Sequence, residues 1–193
     1  MKNHIIFLTL TLVFYSTLLI GCTSMLTIGT ATIVANTWYD SRTIGSQIDD
    51  SILKINIYHA LNKHTQIKKF TRIINTVYQG NVLLTGQSPS SELSKEAINI
   101  VMHINGTKNI YNAIRKNSPI SLQNILFDSI ISNQIRFHLF TKKNTHISKI
   151  KVVTENREVF LLGMVTCKEG QYAEKIARKT KGVKNVFSAF TYI

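Results

Sequence analysis

Acidic side chains are scarce in this chain. Ten Asp and Glu stand against 23 Lys and Arg in 193 residues, a formal net charge of +13. So few carboxylates, most of them near expected helix starts and turns, leave no paired acid and base for general catalysis. None of the six histidines (His4, His59, His64, His103, His138, His146) pairs with a cysteine or carboxylate at metal-ligand spacing, so no metal is expected. A glycine-rich phosphate loop and a Gly-x-Ser-x-Gly elbow are also missing. Long apolar runs are absent too. Residues 5–20 are apolar, but they are interrupted by Thr9, Thr11, Ser16 and Thr17 and fall short of the roughly 20 residues of a membrane span. The expectation is a non-enzyme.

What is present begins at the N-terminus. Lys2 and His4 precede the short apolar run, the layout of a secretory signal over residues 1–21. Leu19-Ile20-Gly21-Cys22 then resembles the lipobox of bacterial lipoproteins. That resemblance implies cleavage before Cys22, with an S-diacylglycerol and an N-acyl group on that cysteine and no other cofactor. Thr23 follows, where an Asp would retain many lipoproteins at the inner membrane. The implied location is therefore the outer membrane, lipid-anchored and facing the periplasm. With Cys22 acylated, Cys167 has no partner for a disulfide and reads as a small core or edge residue. The basic excess then fits an anionic lipid surface rather than nucleic acid. Abundant Ile, Asn and Lys, as AT-rich coding produces, would raise the charge equally well.

Residues 22–46 are rich in Thr, Ser, Ala and Gly and read as a tether. Trp38 and Tyr39 are either interfacial aromatics or packed on the first domain. The remainder repeats itself. Asp50-Ser51-Ile52 recurs as Asp128-Ser129-Ile130, and Leu53, Ile57 and Leu61 as Ile131, Ile135 and Leu139. Val82–Gly86 recurs as Val159–Gly163, and Gly106–Ile110 as Gly182–Val186. Each copy opens with a helix whose apolar residues fall at i, i+4 and i+8, for which Asp49 and Asp50 look like N-cap residues. Two β-rich runs come next, joined at Gln79-Gly80-Asn81 or Glu155-Asn156-Arg157. Val82–Leu84 and Val159–Leu162 are apolar on both faces, which predicts a central strand. A second helix, about 90–103 or 167–179, ends at Gly106 or Gly182 before a last strand. The fold class is α+β: two tandem α-β-β-α-β domains, 47–116 and 125–193, each a three-stranded sheet packed on two helices.

This grammar, punctuated by Gly86/Gly163 and Gly106/Gly182, resembles the BON domain. Two units behind a lipobox, with the strings Asp40–Asp50, Gln79–Pro89 and Thr154–Gly163, narrow the likeness to the dual-BON outer-membrane lipoproteins. The resemblance implies binding of an anionic phospholipid membrane through the first helix of the second domain, accumulation at division sites and support of envelope integrity. Carried onto this chain, it implies a site of Phe127, Ile130, Gln134, Arg136, Phe137, Lys142 and Lys143.

The residues bear on that site independently. On a wheel of about 100° per residue, Ile130 and Phe137 lie far from the Ile131/Ile135/Leu139 stripe, with Phe127 near the core edge. A helix in a small domain needs one apolar stripe, so a second requires another partner. That partner is either a bilayer or the first domain. The first domain offers Ile52 and His59 at the equivalent positions, so the second is the more apolar there. Residues 125–193 hold 12 basic and 5 acidic residues, against 9 and 4 in 46–116. The family's lipid-facing helix presents a tryptophan where this chain has Ile130, so an aromatic ring must come from Phe127 or Phe137, or affinity is lower. The rival class of function is a protein adaptor. Sheet edges or the same helix would then dock an envelope assembly machine or a division-linked peptidoglycan hydrolase.

Overall fold

A computed structural model describes residues 44–141 and 147–193. Cys22, the signal segment, Trp38, Tyr39, Lys142 and Lys143 lie outside the described residues. The first domain runs α1 (Ile44–Lys63), α2 (Thr65–Phe70), β1 (Arg72–Tyr78), β2 (Asn81–Ser88), α3 (Ser91–Met102) and β3 (Asn109–Lys116). The second runs α4 (Leu122–Phe140), a 3-10 turn (Ile147–Lys149), β4 (Lys151–Glu155), β5 (Glu158–Val165), α5 (Cys167–Lys179) and β6 (Asn185–Tyr192). The α-β-β-α-β plan is present twice, with α2 and the 3-10 turn added. Helix α1 starts at Ile44, inside the stretch expected to be tether, and α4 starts at Leu122, three residues before the expected boundary.

In each sheet the middle strand pairs antiparallel on one side and parallel on the other, in the orders β1-β2-β3 and β4-β5-β6. The hairpins turn on left-handed residues, Gln79-Gly80 in one and Asn156-Arg157 in the other. Gly106 and Gly182 have φ near +95° and +93°, where a side chain would be strained. The pair Gly86 and Gly163 is not equivalent. A Cβ on Gly86 (φ +118°) would meet the Arg72 carbonyl oxygen, whereas one on Gly163 would find ordinary contacts on Ile150.

One face of each middle strand packs on its own helices. Val82 and Leu84 meet Leu53, Ile57, Leu61, Ala97 and Val101 in the first domain. Val159 and Leu161 meet Ile131, Ile135, Leu139, Ala173 and Ala177 in the second. The opposite faces meet each other, with Tyr78, Leu83 and Ala113 clustering with Phe160, Leu162, Val153 and Ala189. The apolar character of both strand faces thus has two causes, helices outside and a sister sheet inside. Polar bonds ring this seam. Buried Glu155 accepts from Arg72 and from Gln87 Nε2, Arg115 Nε donates to Glu158 at 2.8 Å, and Lys151 Nζ donates to the Val77 carbonyl at 2.9 Å. The layer order is helices, sheet, sheet, helices, so α1 and α4 lie on opposite outer sides.

The cap reading of Asp49 and Asp50 is corrected. Both lie inside α1, more than a turn past its start, with Asp49 exposed. Asp50 and its repeat counterpart Asp128 are buried inside α1 and α4, where each carboxylate accepts two backbone N–H groups from the hairpin turn of its own domain. For Asp50 these are Gln79 and Gly80, and for Asp128 they are Asn156 and Arg157. The tight turns leave those N–H groups without strand partners, and a carboxylate binds such donors strongly. Of the core and edge readings of Cys167 the core one fails: it is exposed at the first position of α5, just past the end of β5.

Candidate functional site

Helix α4 is held at its start and near its middle. Ser121 caps it, its hydroxyl accepting from the Asn124 N–H, and Asp128 ties its middle to the β4–β5 turn. The buried face carries Asp128, Ile131, Ser132, Ile135 and Leu139. On the outward face stand Leu122, Leu126, Ile130, Phe137 and Phe140, with Phe127 on the flank. Leu122, Leu126, Ile130, Phe137 and Phe140 follow at intervals of four, four, seven and three, so they form one ridge along the helix. Ile130 is 52% and Phe137 65% exposed. The two domains meet through their sheets, and Ile130 and Phe137 are exposed rather than packed on the first domain.

The remaining expected site residues divide. Gln134 is exposed beside the ridge. Arg136 is turned partly inward. Its Nη2 donates to the Val152 carbonyl at 2.6 Å and its Nη1 to Asn133 Oδ1 at 3.1 Å. Burial of this guanidinium lowers its pKa from the ordinary value without discharging it. Arg136 therefore fastens α4 to β4 while its outer edge stays exposed. Lys142 and Lys143, next along the sequence, are outside the described residues.

The sequence reading missed the cations opposite Gln134. A cleft of about 600 Å³ opens between α4 and the end of α5, lined by Gln134, His138, Thr141, Tyr172, Lys179 and Lys181 among others. The basic residues of the last turn of α5 and the loop after it gave the signal, but nothing in the sequence placed them against α4. A larger cleft, about 860 Å³, lies under the start of α1. Its buried carboxylate, Asp50, already holds the β1–β2 turn. Among the described residues, no three His, Cys, Asp or Glu side chains come together to hold a metal ion.

The BON-domain family model matches residues 49–116 and 127–193, most of the chain. The chain belongs to the BON-domain family. Its two BON domains follow the plan read from the repeat. Over 173 residues it is 36% identical to "Outer membrane lipoprotein DolP" of Haemophilus influenzae, covering 90% of this chain and 89% of the relative. It is 35% identical over 154 residues to "21 kDa hemolysin" of Actinobacillus pleuropneumoniae, covering 80% and 79%. Among solved structures, the C-terminal domain of CdsD, a structural protein of the type III secretion system of Chlamydia trachomatis, matches at 14% identity with a TM-score of 0.30. It covers 75% of this chain and 67% of that one, a likeness that carries no argument. The Haemophilus relative is named as an outer-membrane lipoprotein, and the BON-domain family suggests a non-enzymatic protein.

Proposed function

We propose that this protein is anchored by acyl chains on Cys22 to the outer membrane, faces the periplasm, and lays the outward ridge of α4 on an anionic phospholipid surface. By this contact it supports outer-membrane integrity, in particular at division sites. The carrying observation is the exposure of Ile130 and Phe137 on a helix whose other face already fills its core. No described helix is long and apolar enough to cross a membrane, so α4 lies on the bilayer rather than through it. Side chains of the ridge enter the acyl boundary, each buried methylene contributing about 0.8 kcal/mol. Lys179 and Lys181 then take lipid phosphates in the cleft beside Gln134, and each cation near such a surface contributes about 1 kcal/mol. Residues 23–43 span at most about 70 Å when extended, enough for an anchored chain to bring α4 to the surface that holds it.

The test uses residues 22–193 with Cys22→Ser, which removes acyl anchoring but keeps every residue of the three core clusters. This chain should float with vesicles containing phosphatidylglycerol, not with neutral vesicles, and binding should fall as salt rises. Failure to float at low salt would leave the protein adaptor as the better reading. Lys179→Ala with Lys181→Ala should weaken flotation about thirtyfold at low salt, and an unchanged affinity would remove the cleft from the site.

A further inference from the structure

Helix α1 carries an outward apolar ridge of its own. Ile48, Ile52, Ile55 and Tyr58 are each between 52% and 59% exposed. Ile48, Ile52, Ile55, His59 and Asn62 succeed one another at intervals of four, three, four and three. That spacing keeps one seam turned towards a partner helix. A bilayer touching the outward ridge of α4 is not the partner, because the two sheets pack face to face and α1 covers the far face of the first. Charge also argues against lipid. Asp49 is exposed on the flank of α1, at the position where α4 has Phe127, and a carboxylate there is repelled by anionic headgroups. Two heptads later on the same flank stands exposed Lys63.

We propose that α1 pairs antiparallel with α1 of a second copy of this chain. Setting Ile52 of one copy over Ile55 of the other aligns the whole ridge. It also brings Asp49 of each copy to the end that carries Lys63 of the other. Parallel pairing would gather both Asp49 at one end and both Lys63 at the other, on opposite sides of the seam, with no opposite charges brought together. Exposed charge pairs of this kind fix direction more than affinity. The ridge offers on the order of 400 Å² per copy, below what a stable soluble dimer needs. The pairing is therefore weak in solution and reinforced when anchoring concentrates copies on one membrane.

Sedimentation equilibrium of residues 22–193 with Cys22→Ser tests this, under reducing conditions because Cys167 is exposed. A reversible dimer with a dissociation constant on the order of 100 µM is expected. Ile52→Glu with Ile55→Glu should weaken it at least tenfold while leaving the melting temperature and flotation on phosphatidylglycerol vesicles unchanged. Asp49→Lys should weaken it several-fold, and adding Lys63→Asp should restore it. A chain that stays monomeric at millimolar concentration overturns the pairing, as does a double glutamate variant that associates like its parent. So does a dimer that appears only when residues 22–41 are removed, since that segment would then occupy the ridge. Loss of flotation in the double glutamate variant would show that α1 touches lipid instead. Ile130→Glu, which should abolish flotation and leave the dimer intact, keeps failure of the pairing distinct from failure of the lipid reading.

Discussion

Helices α1 and α4 are two copies of one design with different outer faces. Inside they are interchangeable: Leu53, Ile57 and Leu61 do for the first core what Ile131, Ile135 and Leu139 do for the second, and Asp50 holds its turn as Asp128 does. Outside, Asp49 answers Phe127, Ile55 answers Asn133, His59 answers Phe137, and Asn62 answers Phe140. The core-facing half of each helix is fixed by packing, where even one methylene is felt. The outward half is free to diverge, and that divergence separates the face proposed for lipid from the face proposed for another helix.

The shared half gives the largest expected effect. Ile57→Asp and Ile135→Asp each place an unpaired charge at a position with no exposure. Each should cost more than about 4 kcal/mol and unfold its own domain, seen as loss of that domain's amide signals by NMR. A folded Ile135→Asp variant would mean that the two halves of α4 are assigned the wrong way round. Next, Asp50→Ala and Asp128→Ala should each destabilise by about 2 kcal/mol, because two turn N–H groups lose a charged acceptor. Denaturant titration would reveal a break in the symmetry if only one variant suffered.

The outer halves should part company under a smaller perturbation. Phe137→Glu is expected to lower affinity for anionic vesicles at least tenfold, about 1.4 kcal/mol, with the melting temperature unchanged. Ile52→Glu should leave that affinity alone, and equal losses from both would erase the distinction between the helices. The gentlest test is Phe127→Asp, which gives α4 the flank of α1. One added negative charge near the surface should weaken vesicle binding about fivefold, and the loss should shrink as salt is raised.

The sequence disclosed the repeat, and through it the sheet order, because each copy confirmed the other's punctuation at Gly106 and Gly182. The second stripe on α4 was legible for the same reason that any helix face is, a fixed angle per residue. The matching ridge on α1 was harder to see, because a comparison confined to Ile52 and His59 leaves out Ile48, Ile55 and Tyr58. The partners of Asp50 and Asp128 lie 28 to 30 residues away and depend on how a helix docks against a hairpin. An acid near an expected helix start looks like a cap until that docking is known. Contacts between domains were further out of reach. Nothing local to Glu155 points to Arg72, 83 residues earlier, or to Gln87, 68 residues earlier.

The seam lined by Leu83, Phe160 and Leu162 has an evolutionary corollary. After duplication, each half came to shelter the greasy inner surface of its twin. A gene truncated to either half would release a product with a bare oily sheet, prone to clumping. Loss of one copy would thus be punished at once, whereas a change on one outer helix leaves the shared seam intact, so the pair can persist as a unit while its two exteriors differ.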